Sequence, residues 1–362
     1  MIKGLGPGGA ERLVVAAASA HDRSQFDLEV VYLLPWKNHL VGELEALGVP
    51  CTCLDVRDER DIRWVGRLRR RLTSDPVDVV HAHSPYVAAF ARLAVRSVPQ
   101  RVRPRMITTE HNPWTTFKVP TRALNSLTSP LDDATFAVSQ ETSASMWPYV
   151  RRRTTVLVHG IDVGAARAQL VARHDARREL GVAAGTFLVG TVANYHPKKD
   201  WPNLLRAARL VADRGLPVRF CAVGQGPLES EVHALHEQLD LQRVVTLTGY
   251  RADAVRLMAA CDCFVLASRW EGLPVAAMEA SALGLPIVAT AVGGMREAFT
   301  DGVDALLVPP QRPDLLAAAI ERVAGDPALH DRLARASAER ATDFDIGRAV
   351  EEIEATYRQA LA

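Results

Sequence analysis

The chain has 362 residues, which is more than one hydrophobic core usually serves, so two domains of ordinary size are predicted. Hydrophobic residues make up 48% of the chain and charged residues 23%, which is typical of a soluble globular protein. The net charge of +1 gives no electrostatic argument for binding nucleic acid or a strongly acidic partner.

The chain begins with a glycine turn that leads into a helix. In a doubly wound domain a buried strand precedes such a turn, but only the first three residues are available for it. We therefore expect a truncated first strand and a natural chain that starts upstream of Met1. Gly4, Gly6 and Gly9 also match Gly-x-Gly-x-x-Gly, which alone would suggest a dinucleotide dehydrogenase. That interpretation explains nothing after residue 30.

Short apolar runs then alternate with helical stretches, which is the pattern of parallel α/β domains. The strand candidates of the first half are FDLEVVYLL, CTCLDV, VDVVHAH, RMITTEH, TFAVS and TVLVHGI. Those of the second half are FLVGTVANY, VRFCAVG, VVTLTGY, CFVLAS, PIVAT and ALLVP. We place the first domain in residues 1–163 and the second in residues 164–345. Residues 346–362 are predicted to form an amphipathic helix that packs on either domain, including back on the first.

Histidines stand at the ends of two predicted strands of the first half. His111 follows RMITTE, and His83 ends VDVVHAH. A histidine at a strand end is more often a structural hydrogen-bonding group than a functional one. The Arg-rich stretch 64–72 and Arg151–Arg153 are interpreted as solvated helix faces in preference to sites for anionic lipid.

Cysteine usage indicates a reducing compartment. The five cysteines, an odd number without a secretory signal peptide, favour reduced thiols in a cytoplasmic protein. The two Cys-x-Cys pairs have no His or Cys at ligand spacing beside them, so we interpret them as buried apolar residues rather than zinc ligands. No apolar run approaches the length of a membrane span, and attachment to the inner face of a membrane remains open.

Turns with candidate binding groups follow two strands of the second half. Residues 189–208 read as a strand, a turn and a helix that begins near Asp200, and the turn carries Lys198 and Lys199. Gly224, in the turn after the next strand, would let the backbone approach a nucleotide. If these residues stood alone, a solvated lysine pair would be the preferred interpretation.

The most informative stretch is residues 268–297. Glu271 lies at the carboxyl end of a predicted strand, where ligands bind in open parallel sheets. Gly272 and Pro274 are predicted to start a helix whose free N–H groups suit a diphosphate. Glu279 lies about five residues into that helix, some ~7–8 Å from its start. Both carboxylates are predicted to accept hydrogen bonds from sugar and ribose hydroxyls, each worth about 1.5–3 kcal/mol.

This stretch resembles glycosyltransferase family 4, and the residues that carry the resemblance are Glu271, Gly272, Pro274, Glu279, Ala280, Gly284, Pro286, Gly293 and Gly294. The resemblance implies an α/β chain of the GT-B fold, with two Rossmann-like, doubly wound domains that face a central cleft. It implies transfer of a sugar from a nucleoside diphosphate sugar with retention of anomeric configuration. It also implies that Glu271 contacts donor-sugar hydroxyls and Glu279 the ribose, with the Gly293–Gly294 loop near the sugar and phosphates.

The resemblance extends to residues outside this stretch. Lys199 matches a family lysine on the diphosphate, and Asn194 stands where the family commonly has an arginine. His111 resembles a histidine that faces the donor sugar, and the Gly8–Gly9 turn resembles a loop over the donor phosphates or the acceptor. The other residues assigned to donor binding are Leu273, Gly224, Tyr250 and Arg251, the last two as contacts of the nucleobase.

We therefore predict a cytoplasmic, metal-independent hexosyltransferase in which Glu271, Lys199 and His111 are catalytic. Lys199 and helix N–H groups would stabilise the leaving diphosphate. The donor is a co-substrate, no metal or other cofactor is expected, and the acceptor is a hydroxyl of a polysaccharide, a glycolipid or a small molecule. Nucleic acid is not an expected partner, and peripheral membrane contact stays open. Two alternatives remain: a sugar-nucleotide epimerase of the same fold and a non-catalytic sugar-nucleotide-binding protein.

Overall fold

A computed structural model describes residues 1–58 and 61–362. The chain divides into two compact units. Unit 1 contains Met1–Gly160 together with Ile346–Ala362, and unit 2 contains Ile161–Asp345. The division therefore lies three residues before the boundary placed at 163 from the sequence.

The strands in chain order are β1 (Val30–Tyr32), β2 (Cys51–Cys53), β3 (Val79–Ala82), β4 (Arg105–Glu110), β5 (Ala134–Ala137), β6 (Thr154–Val156), β7 (Phe187–Val192), β8 (Val218–Val223), β9 (Val245–Gly249), β10 (Cys263–Leu266), β11 (Ile287–Thr290) and β12 (Leu306–Val308). The helices in chain order are α1 (Gly9–Ala20), α2 (Val41–Ala46), α3 (Trp64–Ser74), α4 (Pro85–Ser97), α5 (Val119–Thr128), α6 (Gln140–Ala144), α7 (Pro148–Arg151), α8 (Val163–Ala168), α9 (Arg173–Glu179), α10 (Trp201–Asp213), α11 (Glu229–Gln238), α12 (Ala254–Ala259), α13 (Val275–Ala282), α14 (Gly293–Ala298), α15 (Pro313–Gly325), α16 (Pro327–Arg340) and α17 (Ile346–Leu361). The paired strands run parallel, which confirms the fold class predicted from the alternating pattern.

Unit 2 contains one sheet in the order β12-β11-β10-β7-β8-β9. Every residue of β10 and β11 is buried, although alternate side chains point to opposite faces, so both faces of the sheet are covered. The strand order reverses between β7 and β10, which are neighbours in the sheet. The loops that follow these two strands therefore leave the sheet on either side of the reversal, where open parallel sheets form a ligand crevice.

Unit 1 contains the sheet β3-β4-β5-β6 and the pair β1-β2, and the first three residues lie between them. The Ile2 amide donates to the Val31 carbonyl at 3.0 Å, and the Met1 carbonyl accepts from the His83 amide at 2.9 Å. Ile2 also forms a parallel bridge with Tyr32 and is buried. The first residues of the sequence thus link β1 to β3 through backbone hydrogen bonds.

Helix α17 packs on unit 1. Its apolar residues at helical spacing are buried against Ile107, Phe136 and Leu157 of the sheet. His21, which directly follows α1, lies 3.0 Å from the Glu354 carboxylate of α17. Within the described ranges, no helix combines the length and apolar character that crossing a membrane requires.

Candidate functional site

Lysine and glutamate side chains meet where the strand order of unit 2 reverses. Lys199 follows β7 and Glu271 follows β10, and the Lys199 Nζ lies 2.5 Å from the Glu271 Oε1. The Ser268 hydroxyl donates to the same oxygen at 2.5 Å, and the Lys198 Nζ lies 3.9 Å from Oε2. Two residues separated by 72 positions in the sequence are therefore in direct contact.

The Glu271 carboxylate keeps its charge although the residue is only 2% exposed. Burial acts to raise the pKa of Glu271, but the positive charges of Lys199 and Lys198 and hydrogen bonds from Lys199 and Ser268 outweigh it. The pKa therefore lies below its usual value. Two lysines face one carboxylate, so the group retains a net positive charge, which favours binding of an anion.

The loops after β7 and β10 are also bound to each other. The Arg269 amide donates to the Lys198 carbonyl at 2.7 Å, and its guanidinium pairs with the buried Asp200 carboxylate at 3.1 Å. Asp200 adopts a left-handed backbone, with φ at 46°, directly before α10. These contacts hold Lys199 beside Glu271, and neither Ser268 nor Arg269 was identified from the sequence.

The Gly293–Gly294 turn packs against the backbone next to Glu271. The Gly294 amide donates to the Glu271 carbonyl at 3.0 Å. A Cβ atom at Gly294 would lie 2.1 Å from the Gly272 carbonyl oxygen, which is far inside contact distance. Position 294 therefore requires glycine, and the structure brings this turn to the Glu271 loop.

Helix α13 carries the second predicted carboxylate. It begins at Val275 with Pro274 at its N-cap, so the predicted start is wrong for Gly272, which lies three residues before the helix. Leu273 before it is half-buried. The partly exposed residues of α13 are Ala276 and Glu279, three positions apart and hence on one face. Glu279 is the fifth residue of the helix, as expected from the sequence.

The other predicted donor-binding residues of unit 2 follow β7 and β8. Asn194 is exposed, and its backbone carbonyl accepts from the Trp201 indole at 3.1 Å. A Cβ atom at Gly224 would lie 2.1 Å from the Ala193 carbonyl oxygen. Close packing of the loops after β7 and β8 is sufficient to require glycine at position 224, and a bound nucleotide is not needed to explain it.

Arg251 and Tyr250 follow β9. The Arg251 guanidinium donates to Asp253 at 2.7 Å and to Glu179 at 2.8 Å, while Tyr250 is half-buried. Hydrogen bonds from Arg251 help to lower the pKa of Asp253 to about 2. The charge of Arg251 is therefore already compensated by two carboxylates.

In unit 1 the carboxyl ends of the strands carry a row of histidines. His83 Nδ1 lies 3.2 Å from His111 Nε2, and the rings of His111 and His159 are 5.7 Å apart. Burial lowers the pKa of His111 to about 3 and that of His159 to about 4, so both rings are neutral at pH 7. His111 Nδ1 and His159 Nε2 are buried without a hydrogen-bond partner among residues 1–58 and 61–362. Gly8 and Gly9 lie in the same unit, at the start of α1.

Glu110, the last residue of β4, was not identified from the sequence. Its Oε1 accepts from the Asn125 side-chain amide at 2.6 Å, Oε2 is buried, and the nearby Trp114 indole acts to lower the pKa. Burial raises the pKa of Glu110 to about 7. Asn125 in turn accepts from Arg92, which forms two 2.7 Å hydrogen bonds with Asp132. In the sequence, its position next to His111 was the one feature that could have marked Glu110 as a candidate site residue.

No group of three or more His, Cys, Asp or Glu side chains within the described ranges is arranged to hold a metal ion. Unit 2 brings together a compensated carboxylate, two ammonium groups and the positive end of α13. Unit 1 offers uncharged imidazoles and one carboxyl group that titrates near neutrality.

Two family models match the chain. "Glycosyl transferases group 1" matches residues 172–340, and "Glycosyltransferase Family 4" matches residues 7–164. Among curated relatives, the UDP-Gal:alpha-D-GlcNAc-diphosphoundecaprenol alpha-1,3-galactosyltransferase of Escherichia coli is 24% identical over 361 residues, which covers 96% of this chain and 93% of that protein. The D-inositol 3-phosphate glycosyltransferase of Actinosynnema mirum is 34% identical over 223 residues, or 58% of this chain and 52% of that protein.

Solved structures with similar architecture cover almost the whole chain. Anabaena Alr3699/HepE in complex with UDP and glucose has a TM-score of 0.86 and 22% identity, over 99% of this chain and 98% of that one. Sucrose-phosphate synthase from Thermosynechococcus elongatus has a TM-score of 0.77 and 19% identity, over 97% of this chain and 93% of that one. At these identities the likeness establishes the fold.

Proposed function

The chain belongs to glycosyltransferase family 4 and has the GT-B fold, and we propose that it transfers a sugar from a nucleoside diphosphate sugar to an acceptor hydroxyl with retention of anomeric configuration. Family membership makes the chain a glycosyltransferase. The retaining course, the donor and the role of each residue are the proposal, as is a location at the inner face of the cytoplasmic membrane.

The observation that carries the proposal is the buried contact between Lys199 and Glu271 at the strand reversal of unit 2. A donor placed there would bring its diphosphate to Lys199 and its sugar hydroxyls to Glu271. The ammonium group compensates the phosphate charge, and the carboxylate accepts hydrogen bonds from vicinal hydroxyls. The same two groups stabilise each other before the donor binds.

Further residues of unit 2 extend this donor site. The positive end of α13, after Pro274, supports the diphosphate, and the Gly293–Gly294 turn lets the backbone approach it closely. Glu279 on the partly exposed face of α13 accepts hydrogen bonds from the ribose. Asn194 contributes a hydrogen bond without charge, so leaving-group stabilisation depends more heavily on Lys199.

The reaction proceeds through a transition state with oxocarbenium character. The bond from the anomeric carbon to the leaving phosphate oxygen breaks while negative charge accumulates on that oxygen, and Lys199 and the start of α13 stabilise this charge without a metal. The acceptor hydroxyl attacks from the same face and passes its proton to the leaving phosphate. Configuration is therefore retained, and no side chain is required as a general base. His111 contributes a hydrogen bond to the donor sugar as a neutral imidazole.

Uridine nucleotides are the first donors to examine, because the Escherichia coli relative is named for UDP-Gal and the HepE structures contain UDP or UDP-glucose. The purified protein should slowly hydrolyse its donor in the absence of acceptor. Released nucleoside diphosphate and the anomeric configuration of the product are measured by chromatography and NMR.

Glu271→Gln tests the central contact. We expect donor turnover to fall at least about tenfold, because one hydrogen-bonding charge at the reacting sugar is lost. Glu339→Gln, an exposed acid on α16, is the matched control and should leave turnover within about twofold. Unchanged turnover in the Glu271 variant would contradict the proposed site. A sugar nucleotide that is converted without release of nucleoside diphosphate would support the epimerase alternative instead.

A further inference from the structure

Helix α5 of unit 1 exposes apolar residues and buries polar ones. Val119 is 67% exposed and Leu127 is 72% exposed, whereas Asn125, Ser126 and Thr128 are buried. A helix on the surface of a globular protein normally has the opposite arrangement. The outward face of α5 therefore has an apolar character that packing within the unit does not explain.

Hydrogen bonds fix α5 in this orientation. Asn125 bridges Arg92 and Glu110, and Thr128 accepts from Arg92 at 3.1 Å. The Tyr149 hydroxyl of α7 donates to the Ser126 carbonyl at 2.6 Å. Turning the helix to bury its apolar residues would leave this charged network without partners, which is costly in a buried position. The apolar face must consequently stay outside.

Helix α7 adds aromatic side chains next to this face. Trp147 and Tyr149 are each 43% exposed, and their ring centroids are 6.1 Å apart. Tyr149 reaches α5 through its hydroxyl, and Pro130 just beyond α5 is exposed as well. We define the α5–α7 surface by Val119, Leu127, Pro130, Trp147 and Tyr149.

The segments that form the α5–α7 surface are basic. The adjoining Asp132 and Asp133 are paired with Arg92 and Arg105, whereas residues 111–131 and 142–161 contain no Asp or Glu and carry Lys118, Arg122, Arg151, Arg152 and Arg153. Within the described ranges the structure places none of these five side chains in an ion pair. In α3, Arg67 is paired with Asp61 and Arg71 with Glu29. Near α5 and α7, basic side chains without an ion pair among the described residues occur together with exposed apolar groups.

We propose that the α5–α7 surface binds the anionic surface of a lipid bilayer. Basic side chains near such a surface are attracted to anionic headgroups, and exposed Leu, Val, Trp and Tyr side chains insert at the boundary of the hydrocarbon region. A second copy of the chain fits less well, because a symmetric contact would bring the same basic segments together. This inference rests on the membrane location proposed above, and it adds which surface of the protein binds and which lipid charge is required.

Co-sedimentation with vesicles tests the proposal on the full chain. Vesicles of phosphatidylglycerol and phosphatidylcholine in equal parts should bind the protein at least about tenfold more tightly than vesicles of phosphatidylcholine alone. Binding should weaken with added salt, since the headgroup contribution is screened. Equal binding to both vesicle types, or no binding to either, would overturn the proposal.

Paired variants locate the surface. Val119→Ser with Leu127→Ser, and separately Arg151→Glu with Arg152→Glu, should each weaken vesicle binding at least about tenfold. The controls Val171→Ser with Val303→Ser, and Arg243→Glu with Arg335→Glu, change exposed apolar and basic residues on unit 2 and should stay within about twofold of the parent. Equal losses in variants and controls would refute the assignment.

Two further measurements separate this proposal from others. Hydrolysis of a soluble donor should be unchanged in the surface variants, so failure of vesicle binding and failure of the donor site are distinguishable. Sedimentation velocity without lipid should show a concentration-independent monomer. A dimer that disappears in the Val119 and Leu127 variant would instead identify a second copy as the occupant and would overturn the proposal.

Discussion

Glu271 of unit 2 and Glu110 of unit 1 both lie at the carboxyl end of a parallel strand and are almost fully buried, with exposures of 2% and 1%. Burial opposes ionisation at both positions. Glu271 has Lys199 and Lys198 beside it, and its pKa is lowered. Glu110 has an amide and the more distant Arg92, and its pKa rises to about 7. A cation in direct contact thus decides whether a buried carboxylate keeps its charge.

The same difference extends to the neighbours of the two glutamates. The end of the sheet in unit 2 combines ammonium groups with a carboxylate, whereas that of unit 1 combines Glu110 with neutral histidines such as His111 and His159. The two units have similar architectures, but the groups at the carboxyl ends of their strands are charged in unit 2 and largely uncharged in unit 1. The first suits a charged diphosphate, and the second suits uncharged hydroxyl groups, which hydrogen-bond to imidazole without a charge to compensate.

Removing the Lys199 ammonium group from unit 2 should have the largest effect of the changes predicted below. We expect Lys199→Ala to lower donor turnover at least tenfold and up to about a hundredfold, because the leaving diphosphate loses one positioned charge. Turnover is measured as nucleoside diphosphate released at saturating donor. Lys198→Ala is the matched control with a smaller expected loss, since its Nζ lies 3.9 Å from the Glu271 carboxylate. Near-normal turnover for the Lys199 variant would remove this residue from the mechanism.

Glu110→Gln tests whether the buried carboxyl group of unit 1 makes stability depend on pH. The pKa of Glu110 is raised from its ordinary value of 4.5 to about 7, so its contribution to stability is present below pH 4.5 and is lost as pH rises through 7. Glutamine cannot ionise. The stability of the variant relative to the parent should therefore increase by about 2–3 kcal/mol between pH 4.5 and pH 8.5. Denaturant unfolding followed by tryptophan fluorescence measures the difference.

Glu352→Gln on the exposed side of α17 provides the control for this measurement, and its stability difference should not change with pH. Comparing each variant with the parent at the same pH cancels the contribution of the histidines, whose low pKa values act in the opposite direction. If the stability of the Glu110→Gln variant relative to the parent did not change with pH, the carboxyl group of Glu110 would ionise normally in the folded chain.

His111→Ala should have the smallest effect of the three. Loss of one neutral hydrogen bond to the donor sugar is expected to lower turnover about tenfold. Because burial lowers the pKa of His111 to about 3, the size of the effect should be the same from pH 5.5 to pH 8. Initial rates across this range measure it. A parent-to-variant ratio that collapsed below pH 6.5 would indicate that His111 titrates like an exposed histidine.

Sequence patterns predicted the fold and the core of the candidate site. Alternation of apolar runs and helices identified the parallel sheets, and the resemblance to glycosyltransferase family 4 singled out Lys199 and Glu271, whose contact with each other only the structure gives. These features depend on periodicity and on the position of a residue relative to a strand, which the sequence contains directly.

Other features depend on side-chain geometry between distant positions. The Arg92 guanidinium reaches Asp132, 40 residues away, and this contact together with Asn125 determines how α5 is oriented. Glu110 appears in the sequence as an ordinary acid, and only burial without a cation in direct contact changes its pKa. Whether glycine is required at Gly224 for packing or for a ligand also depends on the neighbouring loop.

The return of α17 to unit 1 has a consequence for synthesis on the ribosome. Unit 2 is continuous in the sequence, whereas unit 1 needs residues from both ends of the 362-residue chain. Until the helix emerges, Ile107, Phe136 and Leu157 lack the apolar side chains that cover them. Unit 2 can therefore complete its core from one continuous stretch of nascent chain, whereas this part of unit 1 becomes covered only once α17 has been made.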